Sequence, residues 1–268
     1  MIKNKILIVL IGISIFSCKA DQEIEWRHLW NGENLMNWDV HFGTALTGYD
    51  SLAHTLDLMD IFQVKVVEGD TLMFVAGNVN AAIATKDEYE DYHLRMEFRW
   101  GDKKYTAFNS GLLYHSYGDF GPGLGTWMNA HEFQLMTGNL GDSYRMGETY
   151  CEVAVELMDD GKNYQYKPEG EMMKFGEEGV SKIARKMGDY EKPIGEWNAL
   201  DLYCFEGKSV FLVNGKLVMV NHNSGYYIDG EVKPLTRGKI QIQSEGAEMY
   251  IRELKLRNIE EIPSGVLP

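Results

Sequence analysis

The chain is poor in the features that would fix its class at once. Of 268 residues only three are cysteine, too few for a disulfide framework. Basic residues number 26 against 40 acidic ones, a formal charge of −14. No Lys/Arg cluster supplies the cationic surface that counterion release from nucleic acid requires, so a nucleic-acid partner is excluded. There is no Gly-x-Ser-x-Gly nucleophile elbow, no Walker-type phosphate loop and no His-Glu-x-x-His zinc set. Internal repeats, low-complexity stretches and long amphipathic helices are also missing. The one conspicuous apolar run, Ile6 to Phe16, falls short of the roughly 20 residues needed to cross a bilayer.

That run follows Lys3 and Lys5 and stops at Ser17-Cys18, which is the layout of an export signal. Ile15 and Ser17 fit the box ahead of a lipidated cysteine, with Phe16 bulkier than usual there. Residues 1–17 are therefore expected to be a lipoprotein signal peptide and Cys18 the acylated first residue of the mature chain; ordinary secretion with cleavage nearby is the alternative. Either way the mature protein works outside the cytoplasm, and the lipid reading places it on a bacterial cell envelope, periplasmic or at the cell surface. The anchor would be its only link to the membrane. Residues 1–17 hold two lysines and no acid, so their loss moves the formal charge to −16. Such acidity keeps an exported protein soluble and repels polyanions, which leaves a neutral ligand such as a sugar easier to accept. Cys151 and Cys204 then remain, either paired or as buried free thiols.

Residues 18–25 read as a tether and residues 26–262 as one domain. Ten short aromatic or β-branched segments, separated by Gly, Asn and Asp, predict strands at 62–67, 71–76, 92–100, 111–115, 131–136, 197–205, 209–213, 216–220, 238–243 and 248–257. Without long helices they predict an all-β sandwich. Asn214-Gly215 between apolar strands is a type I′ hairpin signal, and Glu68-Gly69-Asp70 separates a second pair of strands. Residues 159–193, rich in Asp, Glu, Gly and Lys, read as a long surface excursion.

In the segment His131-Glu132-Phe133-Gln134-Leu135-Met136 a period of two puts Glu132, Gln134 and Met136 on one face and His131, Phe133 and Leu135 on the other. Glu132 and Gln134 would stand about 7 Å apart, a carboxylate and an amide suited to sugar hydroxyls or to general-base work. The plainer alternative is a solvent-exposed polar face over an apolar core. Asn109-Ser110-Gly111 opens the strand Leu112-Leu113-Tyr114-His115, so either Tyr114 or His115 would share that face, and glycine there permits close approach. A histidine beside a carboxylate could shuttle protons or bind a metal assembled by folding. Loop aromatics, Phe120, Trp127, Tyr144, Tyr226 and Tyr227, could stack on sugar rings or seal the sandwich.

Taken in order, the segments carry a resemblance. Leu29-Trp30-Asn31-Gly32-Glu33-Asn34-Leu35 with Trp38, then Ala84 to Arg99, Asn109-Ser110-Gly111, Glu132-Phe133-Gln134, Glu196-Trp197-Asn198, Val213-Asn214-Gly215, Gly238 to Gln243 and Ile251 to Leu256 are together similar to the 3-keto-disaccharide hydrolase family over roughly residues 26–258. The resemblance implies a concanavalin A-like β-sandwich (jelly roll) of two curved antiparallel sheets with a carbohydrate groove, and cleavage of glycosides oxidised at C3, with a divalent metal ion as an open requirement. It points Glu132 and His115 toward the groove as candidate catalytic groups, Glu132 as base or metal ligand. Gln134, Gln243, Asn109 and Trp127 become candidate substrate-binding residues. Two departures stand out: His115 where many members carry Arg, and Thr137 where many carry Asp, with Asp142 in the following loop as a replacement carboxylate. A non-catalytic carbohydrate-binding lipoprotein and a structural envelope protein are the alternative functions.

Overall fold

A computed structural model describes residues 25–267; the predicted signal peptide and Cys18, and all but the last residue of the tether, lie outside the described residues. All ten predicted strands form, within one or two residues at most ends, and Phe62–Val67 is bounded as expected. Two are much longer than the sequence pattern shows: Tyr92–Lys104 and Lys216–Ile228. Others, including Trp38–Phe42, Ala81–Thr85, Ser143–Met146 and Thr149–Leu157, were not predicted. Ala81–Thr85 reads AAIAT, and small alanines carry little strand propensity; burial of all five residues decides it. The described helices are two four-residue turns, and none of them is long and apolar enough to cross a membrane.

The strands form two antiparallel sheets, of twelve and eight strands. The large sheet runs from Tyr164–Tyr166 through Thr149–Leu157, Lys216–Ile228, Lys208–Val213, Asn198–Phe205, Tyr92–Lys104, Ala247–Asn258 and Asp70–Val75 to Phe62–Val67. The small sheet runs from Ile183–Ala184 through Ser143–Met146, Asn129–Gln134, Gly111–Tyr117, Arg237–Ser244 and Ala81–Thr85 to Trp38–Phe42. Both predicted tight hairpins are present. Asn214 and Gly215 have φ of 50° and 75° between the paired residues Val213 and Lys216, and Glu68 and Gly69 take 56° and 94° between Val67 and Asp70. Positive φ at both central residues is the type I′ condition, which matches the twist of the flanking strands. The 159–193 excursion contributes short edge strands to both sheets, Tyr164–Tyr166 and Glu171–Phe175 on the large one and Ile183–Ala184 on the small one.

Between the sheets lies one continuous apolar core. The small sheet contributes Ile83, Leu112, Tyr114, Phe133, Ile240 and Ile242, and the large one Leu94, Met96, Phe98, Leu202, Phe211 and Met219, among others. Phe133 stacks on Phe211 at 4.2 Å and 8°. Each large apolar side chain buried in this way contributes about 1.5–3 kcal/mol. A second, separate cluster, Ala82, Leu113, Trp127, Ala130 and Met146, sits on the opposite face of the small sheet. That face is therefore roofed in part, not bare to solvent. Cys151 and Cys204 are free and buried, the second of the two alternatives.

Candidate functional site

The outward face of the small sheet is fixed by register. Tyr144 pairs with Glu132, Glu132 with Leu113, Leu113 with Gln241, Gln241 with Ala84 and Ala84 with Asp39, one row across six strands. The next row contains Gln134 opposite Gly111, and Gln243 and His41 either side of Ala82. The glycine-rich loop after Tyr117 folds back over one end of this face. Trp127 is buried and donates Nε1–H to the Ala81 carbonyl at 3.2 Å, Gln241 Oε1 accepts from the Met128 amide at 3.3 Å, and Phe120 stacks on His41 at 4.7 Å. Thr126 presses so closely on Gly43 that a Cβ there would lie 2.1 Å from Thr126 Oγ1.

Beside this roof, polar acceptors stand without partners. Glu132 is 2% exposed, and no protein group among the described residues hydrogen-bonds its carboxylate. Gln243 is equally buried, and its Oε1 has no donor. Both oxygens crowd one bare backbone point: a Cβ on Gly111 would fall 2.4 Å from Glu132 Oε1 and 2.4 Å from Gln243 Oε1. The two oxygens thus lie within twice that distance of each other, and only glycine leaves room for them. Two residues beyond Gln243, Glu245 continues the face at the strand end, half-buried and likewise without a partner.

Burial pushes the Glu132 carboxyl well above the usual range, and the nearby Glu245 adds to this while Arg145 opposes it. Burial lifts Glu245 to about 7. Tyr144 is raised by burial and by the charges of both glutamates, which places all three in one electrostatic neighbourhood. A buried carboxyl beside a half-buried one, neither with a counter-ion or hydrogen bond, is costly to a fold and is the usual mark of a functional site.

The predicted residues do not all meet there. Glu132 and Gln243 do, over Gly111. Gln134 shares the face, but its Oε1 accepts from the Leu135 and Met136 amides at 3.0 and 3.2 Å, finishing its own strand. Asn109 stands at the mouth of the Gly111 strand with a buried, unpartnered Oδ1. Trp127 supports the roof from below and presents no stacking surface. Neither Tyr114 nor His115 joins Glu132; Leu113 occupies the outward position. Tyr114 points into the core and bonds Ser209 Oγ at 2.7 Å. His115 adopts φ of 49° at a bulge, which breaks the period of two and turns its ring inward against Tyr92, Tyr114 and His131. Burial drives its pKa down to about 3, so it is neutral and sealed from the outward face. Asp142 is committed elsewhere: it pairs with Arg185 at 2.7 Å and accepts the Lys186 amide at 2.9 Å, pinning the excursion. Glu245 carried no readable motif, and its only signal was parity with Gln243; Tyr144, read as a loop aromatic, lies instead in the strand Ser143–Met146 as the cross-strand partner of Glu132.

Beneath the site, a hydrogen-bonded chain crosses the interior. Ser224 donates to the Leu235 carbonyl, so His131 Nε2–H donates to Ser224 Oγ at 2.5 Å and neutral Nδ1 accepts from Arg145 at 3.2 Å. Arg145, wholly buried, also reaches Cys151 Sγ and Ser143 Oγ, and Ser143 donates to Asn221. Among the described residues no carboxylate pairs with this guanidinium, and its field is felt by Glu132 through the sheet. No three His, Cys, Asp or Glu side chains assemble as a metal-ligand group among the described residues. An apolar cleft of about 550 Å³ lies at the open edge between Trp38–Phe42 and Phe62–Val67, but its only ionisable lining residue is the exposed Glu33.

A jelly-roll sandwich with an acidic, partnerless acceptor set on one outward face is the class these features define. The sequence profile of the 3-keto-alpha-glucoside-1,2-lyase-like domain matches residues 25–257, and the chain belongs to that family. Two crystal structures from Parabacteroides distasonis ATCC 8503, both provisionally described as glycosyl hydrolases, share the fold. One is 18% identical, with 88% of this chain and 100% of the other covered at a TM-score of 0.50. The second is 17% identical, covering 88% and 94% at 0.50. Among curated proteins, none matches the chain.

Proposed function

We propose that the protein cleaves glycosides whose sugar carries a ketone at C3, by elimination across C1–C2 with or without later addition of water. The observation that carries this reading is the convergence of Glu132 Oε1 and Gln243 Oε1 over Gly111, with Glu245 beside them and none of the three side chains partnered among the described residues. A 3-ketone acidifies the hydrogen at C2, so carboxylates with raised proton affinity suit the proton transfer, and acceptors in need of donors suit sugar hydroxyls. Family membership supports that substrate class. Two opposed carboxylates flanking the glycosidic bond, the arrangement of ordinary glycosidases, are not required for this route.

Incubation with a chromogenic 3-keto-glucoside and with the unoxidised glucoside tests it. Release from the keto compound alone, abolished in a Glu132→Gln/Glu245→Gln double variant, is the expected result. Binding of the sugar without release from either compound, by folded protein, identifies a carbohydrate-binding domain instead. A chelator arm tests the metal requirement, and loss of release on chelation would assign a metal ion. Export and acylation at Cys18 belong to the same reading and rest on the leader sequence; labelled palmitate incorporated by the full chain and lost in Cys18→Ala tests them.

A further inference from the structure

Glu132 and Glu245 share a face but not an environment. Glu132 is enclosed between Leu113 and Tyr144, its cross-strand neighbours, and its Oε1 and Gln243 Oε1 converge over Gly111 with no donor to either among the described residues. Two acceptors turned to one point with no donor disfavour a charge on the carboxylate. A proton on Glu132 supplies the missing donor, which Gln243 Oε1 can accept. Glu245 is different: it follows the last strand residue, Ser244, precedes the turn at Gly246 and is partly open to solvent, so it can exchange protons with water and lose one.

We infer that Glu245 is the general base of the site, and that Glu132 is held as a neutral acid which donates a hydrogen bond to the substrate oxygen gaining charge. The assignment rests on the proposed function for its chemistry and on packing for its direction. Environments that push two carboxyls apart divide acid from base. Burial raises both, but the enclosed Glu132 has the second glutamate acting against its charge as well, while Glu245 at about 7 ionises at ordinary pH.

The steps balance without a further reagent. The Glu245 carboxylate takes the C2 proton, the C–H pair forms C2=C3, and O3 becomes an enolate that accepts from the Glu132 hydroxyl, replacing Gln243. As the ketone re-forms, the electron pair moves to C1=C2 and the C1–O bond breaks. The departing oxygen takes the proton from Glu245, so both glutamates end as they began.

Conservative variants separate the two roles. Glu245→Gln removes the base and is expected to lower kcat on a 3-keto-glycoside by about 10²–10⁴-fold. Glu132→Gln keeps an N–H donor in place and is expected to lose far less, while Glu132→Leu, which has no donor, loses more than Glu132→Gln. The reverse order, with Glu132→Gln inactive and Glu245→Gln mild, overturns the assignment. Infrared spectroscopy of the substrate-free protein gives a readout independent of turnover. A protonated-carboxyl carbonyl band should persist at about pH 8.5, well above the ordinary carboxylate range, remain in Glu245→Gln and vanish in Glu132→Gln. Its absence from the wild type overturns the neutral-acid role whether or not any sugar is cleaved; its presence with no cleavage of any keto-glycoside overturns the functional reading alone.

Discussion

The two outward faces of the sandwich are built by the same alternation and treat the carboxyls of their central strands in opposite ways. On the large sheet Glu97, Asp201 and Glu253, from three adjacent central strands, each have a cation. Arg95 reaches Glu97 at 2.9 Å and Asp201 at 3.3 Å, His93 meets Asp201 at 2.8 Å, Arg252 reaches Glu97 at 2.5 Å, and Lys255 reaches Glu253 at 2.9 Å. Arg99 and Arg252 lie over Trp197, and Lys255 and Arg257 over Trp26. Burial alone would raise Glu97, but hydrogen bonds from Arg252 and Arg95 hold it below the ordinary value. On the small sheet Glu132 and Glu245 have neither, and burial raises both. A paired, hydrogen-bonded face adds to stability, whereas a partnerless one subtracts from it and is retained for what it binds.

The largest test of that contrast is the double variant Glu132→Gln/Glu245→Gln, which should abolish keto-glycoside cleavage while leaving the circular dichroism spectrum unchanged; the corresponding change on the other face, Glu97→Gln, should leave cleavage intact. Gly111→Ala comes next. Its methyl would sit 2.4 Å from both acceptor oxygens, so activity should collapse and stability should fall by about 1–3 kcal/mol, as overpacking does, measured by chemical denaturation.

The pH dependence of stability should then differ in sign between the faces. Glu245 is raised from 4.5 to about 7, so between these values the folded state binds the extra proton. Its contribution to stability falls as pH rises from 4.5 to 7, and Glu245→Gln should flatten that slope. Glu97 is lowered from 4.5, so its contribution is present above 4.5 and lost as pH falls through the depressed folded value. Urea midpoints of the two variants against wild type across this range check both signs. The smallest effect belongs to a partly exposed pair on the large sheet: Arg252→Ala should cost about 0.2–1 kcal/mol, less in high salt.

Much of this was readable in advance, for local reasons. The ten strands were legible because β-branched and aromatic runs between Gly, Asn and Asp need no distant partner to be recognised. Asn214-Gly215 specified its turn because few residues tolerate two successive positive φ values. The outward position of Glu132 followed from parity with Phe133. Parity left Tyr114 and His115 open and the family resemblance pointed His115 toward the groove; a left-handed residue at a bulge turns it inward, and nothing in Leu112-Leu113-Tyr114-His115 announces the bulge. Asp142 looked free because its partners, Arg185 and the Lys186 amide, lie more than forty residues on.

What the amino-acid sequence determined by itself was therefore the class: short strands, tight turns and an ordered set of motifs define a jelly-roll sandwich of the 3-keto-alpha-glucoside-1,2-lyase-like family. These depend on backbone preferences and side-chain periodicity that act over a few residues. Only the tertiary structure decided which carboxylates are paired and which are left alone. Whether an acid meets an arginine, a glycine or another acid depends on strands brought together from distant parts of the chain, and Glu132, Gln243 and Gly111 share one point in space because three such strands lie side by side.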